Sequence, residues 1–291
     1  TNYFSAPVIV VGNINVGGTG KTPVVIALAR FLKEKGWRPG NVSRGYGGKI
    51  KHFPYQVHQN SNAREVGDEP LLIVRHTDCP TVIDPNRSRG VRALLKRAHC
   101  NLVISDDGLQ HSSLGRNIEI IVVDGERRFG NNFCLPAGPL REPTSRLNSV
   151  DFVISKENPL RHEFKLSLIP DHFYQLIQPK IKKTLDYFHG KTLHAVAGIG
   201  NPDQFFNSLR KLNLKIIEHP FPDHYLFKPH DFSYGSDAII IMTEKDAVKC
   251  VGFVDARLWC LNTKTELDTN LLNTVLKRVT TLNNNLKSSS G

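Results

Sequence analysis

The segment Gly17-Gly18-Thr19-Gly20-Lys21-Thr22 carries the clearest chemistry in the chain. Glycines let backbone N–H groups turn toward phosphate oxygens, and the start of a helix adds partial positive charge. Lys21 would reach terminal phosphates, and the Thr22 hydroxyl would ligate a divalent cation. The segment follows the apolar run Val8–Val11 and precedes a helical pattern, the context such a loop requires. Pro23 falls in the first helical turn, where a missing N–H costs nothing. The strict pattern G-x-x-x-x-G-K-[ST] has Gly where this chain has Asn15, so the loop is a variant. Asn15, Val16, Gly17, Gly18, Thr19, Gly20, Lys21 and Thr22 are the nucleotide-binding candidates.

A phosphate loop needs a carboxylate at a strand end to hold Mg²⁺ directly or through water. Asp106-Asp107, followed by Gly108-Leu109-Gln110-His111, is the better candidate; Asp124 before Gly125 reads equally well as a turn former. Gly67-Asp68-Glu69-Pro70 reads locally as a helix start, with Asp68 as cap, a role compatible with a cleft position. Arg44, Arg87, Arg89, Arg127, Arg128, Arg141 and Arg146 lie in loops, where an Arg fork suits phosphate. Arg44, Arg87 and Arg141 are equal candidates for a substrate phosphate. His111 and His224 each follow acidic residues, where an imidazole can tune a base or simply bond within a turn.

These residues need elements to position them. Short apolar strands at Val8–Val11, Thr81–Ile83, Leu102–Ser105, Glu119–Val123 and Phe152–Ile154 alternate with helical patterns at Pro23–Lys35, Pro70–Arg75 and Arg89–Arg97. That alternation predicts an α/β fold, a mostly parallel sheet with helices on both faces. A second set follows: strands at His194–Ala197, Lys215–Ile217, Ala238–Met242 and Leu258–Leu261, and helices at Pro202–Leu212 and near Asp268–Val279. The predicted division is 1–157 and 158–291, with Phe173–Gln178 and Thr184–Phe188 pairing as a hairpin between the units. The Asn/Ser-rich stretch from Thr280 is predicted to fray.

Composition bounds the function. The chain has 291 residues, 40% hydrophobic and 22% charged, enough for a sizeable core. No apolar run reaches the roughly 18 residues of a membrane span. Five Cys without a CxxC argue against a disulfide framework or zinc site, and fit a reducing cytoplasm. The net charge of +11 favours anionic partners such as nucleotides, nucleic acid or phospholipid headgroups. Thr1 is not a natural start and Met242 is the only Met, so a preceding segment is expected.

Taken together, GNINVGGTGKTP (12–23), SRGYGG (43–48), GDEP (67–70), DDGLQH (106–111), VVDGERRFGN (122–131), LPAGPLRE (135–142), AGIGNP (197–202), Asp223-His224 and TEKDAVKC (243–250) make the chain resemble the tetraacyldisaccharide 4′-kinases, the lipid A 4′-kinase family of Gram-negative bacteria. The phosphate loop alone is shared by many families; the ordered occurrence of SRGYGG, GDEP and DDGLQH is specific. The resemblance implies a P-loop NTPase-type domain, a smaller α/β C-terminal domain and a two-stranded linker. It implies ATP-dependent phosphorylation of the 4′-hydroxyl of a tetraacylated glucosamine disaccharide 1-phosphate in lipopolysaccharide biosynthesis. ATP and Mg²⁺ are the implied cofactors, and the cytoplasmic face of the inner membrane the implied location of a peripheral monomer.

By the same resemblance Lys21 and Thr22 form the phosphate-loop pair and Asp68 is the catalytic base. His224 pairs with Asp68 from the second domain, so the dyad is expected to form only on closure. Glu69 and Asp107 hold Mg²⁺ with Asp106 beside them, while His111, Ser155 and Glu157 fall in the active-site region. These roles override the local reading of Asp68 and Glu69 as a helix start. Family members usually open with an apolar amphipathic segment before the first strand, whereas this sequence starts at Thr1, almost at the strand; the +11 charge would still favour anionic lipid. One alternative is a kinase for a soluble sugar or nucleoside hydroxyl, which would not explain the second-domain motifs. The other is a nucleic-acid-associated ATPase, but Val16 stands where such proteins carry Lys, and no aromatic-basic interleaving suggests nucleic acid.

Overall fold

The computed structural model describes residues 3–288. The first unit contains β1 (Val8–Gly12), α1 (Lys21–Glu34), β2 (Pro39–Ser43), β3 (Tyr55–Val57), α2 (Ala63–Val66), α3 (Asp68–Thr77), β4 (Thr81–Ile83), α4 (Arg87–Arg97), β5 (Leu102–Asp106), β6 (Ile118–Asp124) and β7 (Phe152–Lys156). The chain continues through β8 (Phe164–Gln175), β9 (Lys182–Lys183), β10 (Thr192–Ala197), α5 (Pro202–Lys211), β11 (Lys215–Pro220), β12 (Ile239–Thr243), α6 (Glu244–Ala247), β13 (Leu258–Leu267) and α7 (Thr269–Ser288).

Strands β1 and β5 are buried along their whole length because both faces are covered. Alternate residues point to opposite layers. Ile9, Val11, Leu102 and Ile104 pack with α1 and α7, whereas Val8, Val10 and Val103 pack with Val91 and Leu94 of α4. Helix α1 buries Val24, Val25, Leu28, Ala29 and Leu32, a stripe at helical spacing.

The sheet is one continuous mixed surface in the order β11-β10-β12-β13-β8-β7-β6-β1-β5-β2-β4-β3, with β9 beside β8. Its core pairings are parallel; β3–β4, β8–β9 and β8–β13 are antiparallel. Strand β8 joins β7 in parallel at Ile154↔Phe164 and runs on beside β13 from Leu267↔Leu166 to Trp259↔Gln175. The two units are thus linked by the long pair β8–β13.

The predicted local hairpin is corrected on this point. Thr184–Phe188 forms a turn, and only Lys182–Lys183 pairs with β8. Phe188 is apolar because it packs edge-on to Phe173 and Trp259, not because it lies in a strand. The expected fraying tail is corrected as well. Helix α7 runs to Ser288, with Leu271, Val275 and Val279 buried and Leu282 packed against the first unit's core. The last three residues lie outside the described range. A division at 157 therefore separates α7 in sequence from the core it completes. All five Cys are free. Among the described residues no helix is long and apolar enough to cross a membrane.

Candidate active site

Strand β1 delivers the chain into the phosphate loop. Asn13 Nδ2 donates to Gly17 O at 3.3 Å and to Thr19 Oγ1 at 3.2 Å, bracing the loop from inside. Gly20 has φ 97°, a conformation that favours glycine, and a Cβ there would lie 3.1 Å from Leu166. Helix α1 starts at Lys21 with no side chain capping it. Its first-turn amides and dipole therefore suit an anion.

Two loop candidates have partners within the protein. Asn15 is buried and donates to Arg128 O at 2.8 Å, and the Val16 N–H is taken by Pro139 O at 2.9 Å. The first ties the loop to Arg128 and the second to the Phe133–Arg141 segment, while residues 18–22 line the cleft. Arg127 steadies the loop by donating to Gly18 O at 2.9 Å.

Strand β5 ends in two carboxylates with opposite environments. Asp107 lies 3.6 Å from Lys21 Nζ and accepts from Arg141 Nη1 at 3.0 Å. Burial pushes its carboxyl up, but Lys21 and Arg141 outweigh burial and hold it below the usual range. Asp106 is fully buried, and its Oδ1 has no hydrogen-bond partner. Burial, with Glu69 and Asp107 nearby, pushes its carboxyl up to about 7. An unpartnered buried oxygen among carboxylates and a nearby hydroxyl, all hard oxygen donors, fits a Mg²⁺ ion.

Helix α3 begins at Asp68 because Gly67 turns the chain with φ 91° and ψ 154°. A Cβ at Gly67 would sit 2.7 Å from Tyr46 O, so SRGYGG and GDEP pack on one another through this glycine. Asp68 is buried, and His224 Nδ1 donates to its Oδ2 at 3.1 Å. The dyad expected only on closure is in contact in this structure. Burial raises the Asp68 carboxyl, but the His224 hydrogen bond and the Lys245 charge hold it below the ordinary value. The bond to Asp68 raises His224 despite its burial. The two shifts agree and favour a carboxylate–imidazolium pair.

Lys245, which sequence reasoning left without a role, lies 3.1 Å from Glu69 Oε1 and 3.5 Å from Asp223 Oδ1. Burial opposes its charge, but Glu69, Asp68 and Asp223 outweigh that and raise its pKa. Its signal was the TEKD start of α6: Thr243 caps the helix by accepting from Asp246 N, which aims the next turn at α3. Asp68, Glu69 and His224 each offer a ligand atom within 4.8 Å of the others. The neighbouring cleft has a volume of 1400 Å³ and is lined by residues 18–22, Glu69, Lys156, Glu157, Gly200 and Lys245, with Leu168, Phe205 and Leu212 on its apolar side.

The remaining candidates separate. Arg87 is 2% exposed; its guanidinium donates to Asp84 O at 2.8 Å and to Asp106 O at 3.3 Å, and burial lowers its pKa to about 10. It clamps the strand ends, and its Nε has no hydrogen-bond partner. Ser155 is fully buried and donates to Glu157 O at 3.0 Å, so it shapes the β7 end. Arg44 is exposed; burial, then the charges of Arg87 and Arg44, hold the His111 imidazole below its ordinary value. Arg141 belongs to Asp107, and Glu157 lines the cleft. Arg128 pairs with Glu163 at 2.7 Å and Arg146 with Glu119 at 2.7 Å. Asp124 is a turn former: its Oδ1 accepts from Glu126 N and Arg127 N, both at 3.1 Å.

Comparison with known proteins adds a family. Residues 1–281 match the family described as LpxK, tetraacyldisaccharide-1-P 4′-kinase. The tetraacyldisaccharide 4′-kinase of Nitrosococcus oceani is 51% identical over 260 residues, covering 89% of this chain and 76% of that protein. The protein of the same name from Methylobacillus flagellatus is 49% identical over 281 residues, covering 96% and 84%. A solved structure, the "apo" form of LpxK from Aquifex aeolicus in complex with ATP, is similar with a TM-score of 0.77 and 28% identity, covering 95% of this chain and 89% of that one.

Proposed function

The chain belongs to the tetraacyldisaccharide-1-phosphate 4′-kinase family, and from that premise we propose how its residues transfer the γ-phosphoryl group of ATP to the 4′-hydroxyl of a tetraacylated disaccharide 1-phosphate. The observation that carries the assignment is the Asp68–His224 contact of 3.1 Å, made between the two units beside the cleft that holds Lys21 and Thr22.

The amides of residues 17–22 and Lys21 hold the triphosphate. Thr22, Glu69, Asp106 and Asp107 would hold Mg²⁺, which when bound would neutralise charge on the phosphates. Asp68 accepts the proton of the sugar hydroxyl as its oxygen bonds to phosphorus and ADP leaves. A carboxylate held below its ordinary pKa is a weak base, which suits a loose transition state where the hydroxyl becomes acidic late. His224 holds Asp68 ionised and aimed. Arg44 and His111, exposed and half-buried near the Asp107 end of the site, would meet the acceptor's 1-phosphate.

The basic surface, with a net charge of +11, supports attachment to an anionic membrane surface, in this pathway the cytoplasmic face of the inner membrane. One chain supplies both halves of the dyad, so a monomer suffices. The test is transfer of labelled phosphate from Mg²⁺-ATP to the tetraacyl acceptor in detergent micelles, with the deacylated disaccharide alongside. Labelled lipid that disappears with Lys21→Ala supports the assignment; equal labelling of the deacylated sugar would point to a soluble acceptor.

A further inference from the structure

We propose that Lys245 is a positioning residue that aims Glu69 at the divalent cation, so that the second unit takes part in cation binding by the first. The inference rests on the proposed role of Glu69 as a cation ligand.

Glu69 lies in the first turn of α3 and Lys245 in the first turn of α6, and the two helix starts face each other across the units. Lys245 Nζ is 3.1 Å from Glu69 Oε1. The other carboxylates of the cluster have different support. Asp107 is held by Lys21 and Arg141 from its own unit, and Asp106 is locked by complete burial. Glu69 has neither: its side chain is 27% exposed. A flexible glutamate beside the buried Asp106 carboxylate would turn away from it toward water. The Lys245 ammonium counters that repulsion and fixes one carboxylate oxygen, leaving the other to a cation. The same ammonium lies 3.5 Å from Asp223 Oδ1, and Asp223 Oδ2 lies 3.7 Å from His224 Nε2. Lys245 therefore ties the cation carboxylate to the loop that carries the dyad histidine. Partners that orient a metal carboxylate typically change metal affinity by 10–100-fold when removed.

The experiment titrates Mn²⁺ into the full chain saturated with a non-hydrolysable ATP analogue and follows free Mn²⁺ by electron paramagnetic resonance. Wild type, Lys245→Met, Glu69→Gln and the double variant are compared, with thermal melts to check folding. The expected result is a Mn²⁺ dissociation constant raised about 10-fold or more by Lys245→Met, a comparable rise for Glu69→Gln, and no further rise in the double variant. Lys245→Gln, which keeps a neutral donor, should lose less and carries the same comparison if Lys245→Met does not fold. Wild-type Mn²⁺ affinity in the Lys245 variants beside a weakened Glu69→Gln would overturn the inference while leaving Glu69 as a ligand. Additive losses would overturn it too, by showing that Lys245 acts elsewhere. Unchanged affinity in Glu69→Gln would overturn the ligand role of Glu69, and the inference with it.

Discussion

His224 and Asp68 each shift the other's proton affinity, and the signs can be followed. His224 is raised above the ordinary value near 6.5, and Asp68 is lowered. The pair's contribution to stability is therefore fully present between the ordinary Asp value of 3.8 and the ordinary His value of 6.5. It is lost as pH rises through the raised His224 pKa, and lost as pH falls through the depressed Asp68 pKa. An NMR titration of the His224 ring should give a pKa above the ordinary value in the wild type and a lower one in Asp68→Asn; equal values would show that Asp68 does not hold the proton on His224. At this scale the phosphate loop was legible because its chemistry is local, residue by residue. Arg87 was not. A guanidinium reads the same in sequence whether it is exposed or clamps the ends of β5, and its burial to 2% exposure is a property of the fold.

Gly67 is where an element sets the chemistry. Its positive φ lets α3 start with Asp68 aimed at His224, and Tyr46 O fills the space a side chain would need. Gly67→Ala should cost about 1–3 kcal/mol in denaturant unfolding and reduce turnover by displacing Asp68 and Glu69 together. Wild-type stability and turnover would show that the turn tolerates a side chain. The strands β1, β4, β5 and β6 were readable because continuous apolar runs between helices leave few alternatives. The partner of β8 was not readable: β13 lies far along the chain, and a nearby apolar segment around Phe188 imitated a hairpin strand while serving the core.

The whole molecule is one sheet with a helix returned to its beginning. Helix α7 follows the second unit in sequence yet buries Leu271 against α1 and the first unit's strands. Leu271→Ala should destabilise by about 2–5 kcal/mol, measured by urea unfolding with a probe in the first unit, Trp37 fluorescence. A loss confined to the second unit would contradict this packing. The same closure brings residues from GDEP and from Asp223-His224 into one site, although 156 positions separate Asp68 and His224. Motif order could suggest their partnership through family resemblance, but their contact is a property of the assembled units.

The central claim is that Asp68 accepts the acceptor's proton at a phosphoryl-transfer site. The direct measurement is single-turnover transfer of labelled γ-phosphate to the tetraacyldisaccharide 1-phosphate by wild type and Asp68→Asn, with Mg²⁺-ATP affinity determined on the same samples. The expected result is transfer slowed by about 10²–10⁴-fold with nucleotide affinity kept within a few-fold. Transfer at the wild-type rate, or a loss of transfer matched by an equal loss of nucleotide affinity, would contradict it.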